Sequence, residues 1–184
     1  IAYPSCAADA KGLLKMACRM DDPVIFMEHK GLYRQGYAAT EEPDADYLLS
    51  FGKGRKVLEG DELTIITWGA MVQKSLEAIQ SLEIQNDSVE VIDLRTLNPL
   101  DMDLIETSII KTSKALVVHE DNITNGPGAE IAAIIADKFF ELLDGPVRRV
   151  GAKDSPVPFN WIIEEEILPQ TVDVANAIQE LLEY

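Results

Sequence analysis

Four short apolar runs, each followed by a helical pattern, constrain this chain more than any other feature. The runs are LTIITWG (63–69), VEVIDLR (89–95), KALVVHE (114–120) and PVRRVGA (146–152). Apolar strands alternating with helices belong to a mostly parallel sheet covered on both faces. The intervening segments fit the covering helices. Residues 70–83 place Val72, Leu76, Ile79 and Leu82 on one face. Residues 101–112 place Leu104, Ile105 and Ile109 together, with acidic residues in the first turn where the helix dipole favours them. Residues 129–143 are strongly apolar, and 171–183 close the chain through Val174, Ala175, Ile178, Leu181 and Leu182. The expected fold is a three-layer α/β domain with right-handed crossovers.

Composition excludes several functions. The chain has 184 residues, 47% of them apolar, enough for a packed core. Lys and Arg number 16 against 32 Asp and Glu, a net charge of -16. Such a chain repels phosphate backbones and anionic membrane surfaces, so neither nucleic acid nor a membrane is an expected partner. No apolar run reaches the roughly 20 residues of a spanning helix. Residues 1–20 carry Asp9, Lys11, Lys15 and Arg19 through their apolar positions, unlike a signal peptide. Two cysteines, Cys6 and Cys18, do not make a disulfide framework. The reading is a soluble protein of a reducing, intracellular compartment. The abrupt opening IAYPS, with Ile at position 1, adds the expectation of a piece of a longer polypeptide.

The first third of the chain is less regular. Residues 8–20 put Ala10, Leu13, Leu14, Ala17 and Cys18 at helical spacing, with Asp9 as a cap. Asp21, Asp22 and Pro23 stop this helix. PVIFMEH (23–29) reads as a short buried strand. Residues 30–60 are rich in Gly, charge and aromatics without a sustained period; they read as a linker with one short strand near 47–50.

No local motif supplies a self-sufficient active site. His119 and Glu120 end a predicted strand, at the sheet edge where open α/β folds bind ligands. There His119 would face a cleft with Glu120 orienting it; the alternative is that both only terminate the strand. Gly126-Pro127-Gly128 lacks the full phosphate-binding glycine pattern and sits among Glu120, Asp121 and Glu130, so its glycines are expected to allow a tight turn into a helix. GKGRK (52–56) is the densest basic cluster, without a P-loop Lys-Ser/Thr. His29 and His119 are far apart, and no spacing matches zinc ligands. Asp21-Asp22 reads as a turn and Glu164-Glu165-Glu166 as a solvated helix face.

Several segments together resemble the β subunit of thiamine-diphosphate-dependent 2-oxo acid dehydrogenases. They are AKGLLKMACRMDDPVIFMEHKGLYR (10–34), LTIITWGAMVQKSLEA (63–78), VEVIDLRTLNPLDMDLIETSIIKT (89–112), VVHEDNITNGPGAEIAA (117–133) and RRVGAKDSPVPFNWIIEEEILP (148–169). The linker and the following strand also resemble forms in which α and β regions are fused. The resemblance implies residues 1–34 as the tail of a pyrimidine-binding thiamine domain, 35–60 as a linker and 61–184 as a transketolase C-terminal domain with one antiparallel strand. It places the catalytic Glu upstream of Ile1, and the motif for thiamine diphosphate and magnesium in the α region. The chain alone is therefore expected to be inactive, a scaffold for dimerisation and docking.

The resemblance also implies a structural potassium site at Ala17, Cys18, Met20 and Asp22. Met20 stands where relatives often carry Asp, and its thioether is a poor ligand for a hard cation: the exchange is harmless if that position gives only its carbonyl and weakens the site otherwise, the alternative being that Asp21-Asp22-Pro23 is just a helix stop. Glu180, Glu183 and Tyr184 match the end that in some members docks a basic module of the dihydrolipoyl acyltransferase core. The implied partners are the α region or subunit, a second β region and that core. The implied location is the bacterial cytoplasm, or the mitochondrial matrix in a eukaryote. Pyruvate and branched-chain 2-oxo acids both remain open as substrates, EHKGLYR leaning towards the latter. The rivals are a transketolase-like enzyme acting on sugar phosphates and a non-catalytic interaction module of this fold. A nucleotide-binding sheet protein is disfavoured by the missing glycine fingerprint. Residues 1–34 are expected to be less stable than 63–150.

Overall fold

The computed structural model describes residues 1–85 and 87–184. Its centre is a five-stranded sheet of β1 (Arg55–Leu58), β2 (Leu63–Thr67), β3 (Val89–Asp93), β4 (Ala115–Asn122) and β5 (Arg148–Ala152). The spatial order is β1-β3-β2-β4-β5, with β1 antiparallel to β3 and the other pairs parallel. Every residue of β2 and β3 is buried, which is why these strands read as largely apolar, with Thr64, Thr67, Glu90 and Asp93 as buried polar members. The expected three-layer architecture is the one observed.

Side chains alternate across the sheet and build two cores. Leu63, Ile65, Val89, Val91, Leu116 and Val118 face α2 (Met71–Ser81) and α6 (Thr171–Leu182), meeting Met71, Ala78, Val174 and Ile178. Ile66, Ile92, Ala115 and Val117 face α3 (Met102–Thr112) and α4 (Pro127–Lys138), meeting Ile105, Ile109, Ile131 and Ile135. Asp101 caps α3, its side chain accepting from the Leu104 amide. Each fully buried Leu or Ile in these layers contributes about 1.5–3 kcal/mol. The helix α5 (Trp161–Ile167) packs near β5.

The first third departs from its reading in three places. The helix α1 (Ala7–Ala17) buries Asp9, Gly12 and Leu13, while Leu14 and Cys18 are exposed. Its buried face is set by a polar clamp and a close backbone approach, not by apolar period: the Leu49 amide donates to the Gly12 carbonyl at 3.2 Å. Asp9 is therefore not a cap but a buried anchor. Residues 23–29 form no strand. Phe26 makes a single parallel bridge with Ala2, and Ile25 and Met27 are exposed, because no second strand lies beside them to cover that face. There is likewise no strand at 47–50; the strand in that stretch is β1, at 55–58.

Candidate functional site

The carboxyl edge of the sheet gathers His119, Glu120 and the loop entering α4. His119 is fully buried. Its ring stacks on Trp68, with centroids 5.7 Å apart and planes 6° from parallel. Neither ring nitrogen has a hydrogen-bond partner. Burial pushes its pKa down and Arg149 adds to this, while Asp121 opposes. The ring is thus a neutral aromatic slab.

Three glycines make room for it. A Cβ on Gly128 would collide with the imidazole, and one on Gly151 would lie 2.9 Å from it. On Gly126 the Cβ would lie 3.1 Å from the ring and strike the Asn122 carbonyl. Gly126 has an ordinary φ of -69°. The glycines of this loop therefore serve close packing on His119 more than an unusual turn.

Glu120 does not orient His119. Successive strand residues point to opposite sides, and the Glu120 carboxylate meets His29 Nε2 at 3.0 Å. His29 lies in the segment after α1, so this pair ties the first third of the chain to the end of β4. The bond to Glu120 is the largest influence on His29 and raises its pKa. Beside the pair is a groove of about 540 Å³ walled by Tyr3, Ile25, Met27, Trp68 and Leu97, with Glu120 and Asp121 at its rim. Burial and these two carboxylates push the Tyr3 hydroxyl up to about 12. Such a groove is apolar with an acidic edge, a poor seat for a phosphate.

The basic cluster 52–56 is occupied internally. Lys53 pairs with Asp101 and Asp103, Arg55 with Asp9 and Asp93, and Lys56 with Glu59 and Glu90. These pairs belong to two networks that sequence reasoning missed. In one, the Asp9 carboxylate accepts from Arg95 Nη2 at 2.7 Å and Nε at 3.0 Å, while Asp93 accepts from Ser5 at 2.5 Å and from the Arg95 amide at 3.0 Å. Arg95 has a left-handed φ of 58°, uncommon outside glycine, held by these bonds. Burial raises the Asp93 pKa against the opposing pull of Ser5 and Arg55. In the other, the buried Glu90 pairs with Lys56 at 2.9 Å and Lys111 at 2.5 Å. A visible signal existed: Glu90, Asp93 and Arg95 interrupt an apolar strand.

The remaining candidates lie elsewhere. Ala17, Cys18, Met20 and Asp22 bracket the carboxyl end of α1, with the Ala17 carbonyl accepting from the Met20 amide at 3.2 Å. A helix end offers backbone carbonyl oxygens, the donor type a hard monovalent cation takes, and the Asp22 carboxylate is of the same type. Glu180, Glu183 and Tyr184 are exposed at the end of α6, where Tyr184 lies over Gly145 beside a groove of about 460 Å³. Among the described residues no group of three or more His, Cys, Asp or Glu is placed to hold a metal ion. No helix among them is long and apolar enough to cross a membrane.

The profile described as transketolase, C-terminal domain, matches residues 52–174, from just before β1 into α6. The chain belongs to the transketolase C-terminal domain family. The match takes in the whole sheet of this transketolase C-terminal domain, including the antiparallel β1. The chain is 41% identical over all its 184 residues to the pyruvate dehydrogenase E1 component subunit beta of Staphylococcus aureus, covering 56% of that protein. It is 40% identical, with the same coverage, to the corresponding subunit of Staphylococcus epidermidis. The chain thus spans about half the length of the curated relatives it matches. Among solved structures it is similar to a split-gene transketolase described as an inactive beta4 tetramer. That likeness has a TM-score of 0.76 and 27% identity, covering 99% of this chain and 56% of the other.

Proposed function

We propose that this chain is the carboxyl-terminal part of the β region of a thiamine-diphosphate-dependent 2-oxo acid dehydrogenase. The observation that carries the proposal is the 41% identity to pyruvate dehydrogenase β subunits, which runs through the family domain and the first third alike. The parent decarboxylates a 2-oxo acid, pyruvate or a branched-chain one, and passes the acyl group to a lipoyl carrier. Thiamine diphosphate supplies a nucleophile and electron sink when bound, with magnesium holding its diphosphate. Both bind in the assembled parent rather than in this chain alone.

In this reading residues 1–34 are the tail of a thiamine-binding domain and the sheet domain braces it. The Asp9–Arg95 clamp and the His29–Glu120 pair support that role, since each joins the first third to the sheet. His119 and Glu120 then stiffen the edge of the cofactor cleft without touching the reacting atoms. Ala17, Cys18, Met20 and Asp22 hold potassium at the end of α1. The chain associates with an α region and with a second copy of itself, as the split-gene relative's beta4 assembly suggests. Glu180, Glu183 and Tyr184 dock a basic module of the acyltransferase core, where opposite charge speeds encounter. The parent works in the bacterial cytoplasm.

The test is decarboxylation by the full-length parent with thiamine diphosphate, comparing pyruvate, branched-chain 2-oxo acids and a ketose phosphate. Turnover of a 2-oxo acid supports the proposal and names its class. Turnover of the sugar phosphate alone overturns it in favour of a transketolase. Failure to bind the cofactor overturns both and leaves an interaction module.

A further inference from the structure

Asn125-Gly126 is the one Asn-Gly pair in the sequence, and the fold puts it in the loop between β4 and α4. Asn125 is exposed and has a left-handed φ of 59°. Asn accepts that backbone because its side chain is short and polar. The chain on either side is held. The Ile123 amide donates to the Ala152 carbonyl at 2.8 Å. Thr124 donates to Asp154 through its amide at 3.1 Å and its hydroxyl at 2.6 Å. Beyond the pair, Pro127 opens α4.

An Asn followed by Gly has a reaction open to it that other neighbours hinder. With no Cβ on the next residue, its amide nitrogen reaches the Asn carboxamide carbon without a clash. We infer that Asn125 is a site of spontaneous deamidation, and that one of its two products disturbs the slot holding His119. The Gly126 nitrogen attacks Asn125 Cγ. A C–N bond forms, the carboxamide C–N bond breaks, and ammonia leaves carrying the proton of the Gly126 amide. Water then opens the succinimide. Cleavage at the side-chain carbonyl gives aspartate. Cleavage at the main-chain carbonyl gives isoaspartate, whose backbone runs through Cβ. The left-handed turn must open before the ring closes, so the rate follows local opening of this loop.

The two products differ in how they fit. Aspartate adds a carboxylate ahead of a helix whose N-cap, Gly126, has no side-chain cap. The helix dipole favours that charge. Isoaspartate instead lengthens the backbone by an extra atom just before Gly126. There is no slack to absorb it. A Cβ on Gly126 would lie 2.2 Å from the Asn122 carbonyl oxygen and 3.1 Å from the His119 ring, and one on Gly128 would lie 2.2 Å from that ring. The added atom pushes these glycines against His119, which is already stacked on Trp68. Overpacking of this kind destabilises.

The chemistry is independent of the dehydrogenase reading. The test is ageing of the full chain in mildly alkaline buffer, then cleavage after lysine and mass spectrometry. Lys114 and Lys138 bound a fragment whose asparagines are Asn122 and Asn125. Asn125 should convert about tenfold faster than Asn122, Asn160 or Asn176, which are exposed but followed by residues with a Cβ. Isoaspartate, told from aspartate by electron-driven fragmentation, should rise in step with a new, earlier thermal transition. Asn125→Gly tolerates the left-handed φ and has no carboxamide, so its aged chain should keep the original transition. Freshly made Asn125→Asp, with the ordinary linkage, should melt no lower than fresh wild type. An Asn125 that converts no faster than Asn122 would overturn the site. An Asn125→Gly chain that ages to the same earlier transition would overturn the link to the His119 slot, and so would an Asn125→Asp chain that melts early when fresh.

Discussion

Arg95 and Asp9 face each other through two hydrogen bonds, 2.7 and 3.0 Å, across a boundary that separates the opening helix from the sheet. Asp9 is buried and Arg95 nearly so. Removing one member of such a pair leaves a buried charge, which costs about 3–5 kcal/mol. Asp9→Ala should therefore lower stability by about that amount and release α1. Hydrogen exchange in 7–17 should rise more than in β2 and β3. Arg95→Lys should not rescue the arrangement, because an ammonium cannot make the paired contact. Uniform loss of protection across the chain would show that the clamp does not act locally.

Gly128→Ala is expected to be severe. Its Cβ would occupy the space of the His119 ring, which is hemmed in by Gly126 and Gly151 and stacked on Trp68. Overpacking of this kind costs about 1–3 kcal/mol or more. His119→Phe keeps a ring in the slot and removes two unpartnered buried nitrogens, so it should be neutral or stabilising. Denaturant midpoints of the two variants check this. A His119→Phe variant weaker than Gly128→Ala would mean the imidazole makes a polar contact in solution.

The two histidines should shape the pH dependence in opposite directions. The folded-state pKa of His29 is raised by Glu120. Its contribution is complete below the ordinary value of about 6.5 and is lost as pH rises through the raised value. The folded-state pKa of His119 is lowered by burial. Its contribution is complete above about 6.5 and is lost as pH falls towards the lowered value. Together they predict greatest stability near neutrality on the acid side. Glu120→Gln should flatten the alkaline limb and His119→Phe the acid limb, read from melting temperatures across pH 5–8 (about the range where histidines titrate). Unchanged limbs in both variants would contradict the assignments.

Residues 1–34 are expected to exchange amide hydrogens faster than 63–150. The opening segment has one α-helix, a single 3-10 turn at Lys30–Leu32 and isolated bridges at Ala2, and it exposes Leu14, Ile25 and Met27. The sheet strands between them are buried on both sides. Local stability follows burial and backbone bonding. Slower exchange in 1–34 would contradict this ordering.

The strands at 63–67, 89–93 and 115–122 were legible because burial on both faces makes them largely apolar, even with Glu90 and Asp93 in the second and a polar end on the third. β1 was not, because RKVL is half-buried at a sheet edge and its Arg55 and Lys56 look like linker charge. PVIFMEH has the composition of a strand, yet a strand needs a neighbour, and Phe26 has only Ala2. α5 is seven residues long and presents no period, so only its acidic end was readable as a helix face. At the site, the placement of His119 and Glu120 at the end of β4 followed from the pattern. The partner of Glu120 did not, since His29 is brought to it only by the tertiary fold. The Asp9–Arg95 clamp is of the same kind: no local spacing encodes it.

The most direct test of the central claim is a chimera. The matching segment of the Staphylococcus aureus pyruvate dehydrogenase β subunit, 41% identical, is replaced by this chain and the subunit is assembled with its α partner. The account predicts a folded complex that binds thiamine diphosphate and decarboxylates a 2-oxo acid. A chimera that folds and assembles with bound cofactor, yet turns over neither pyruvate nor a branched-chain 2-oxo acid, would contradict it.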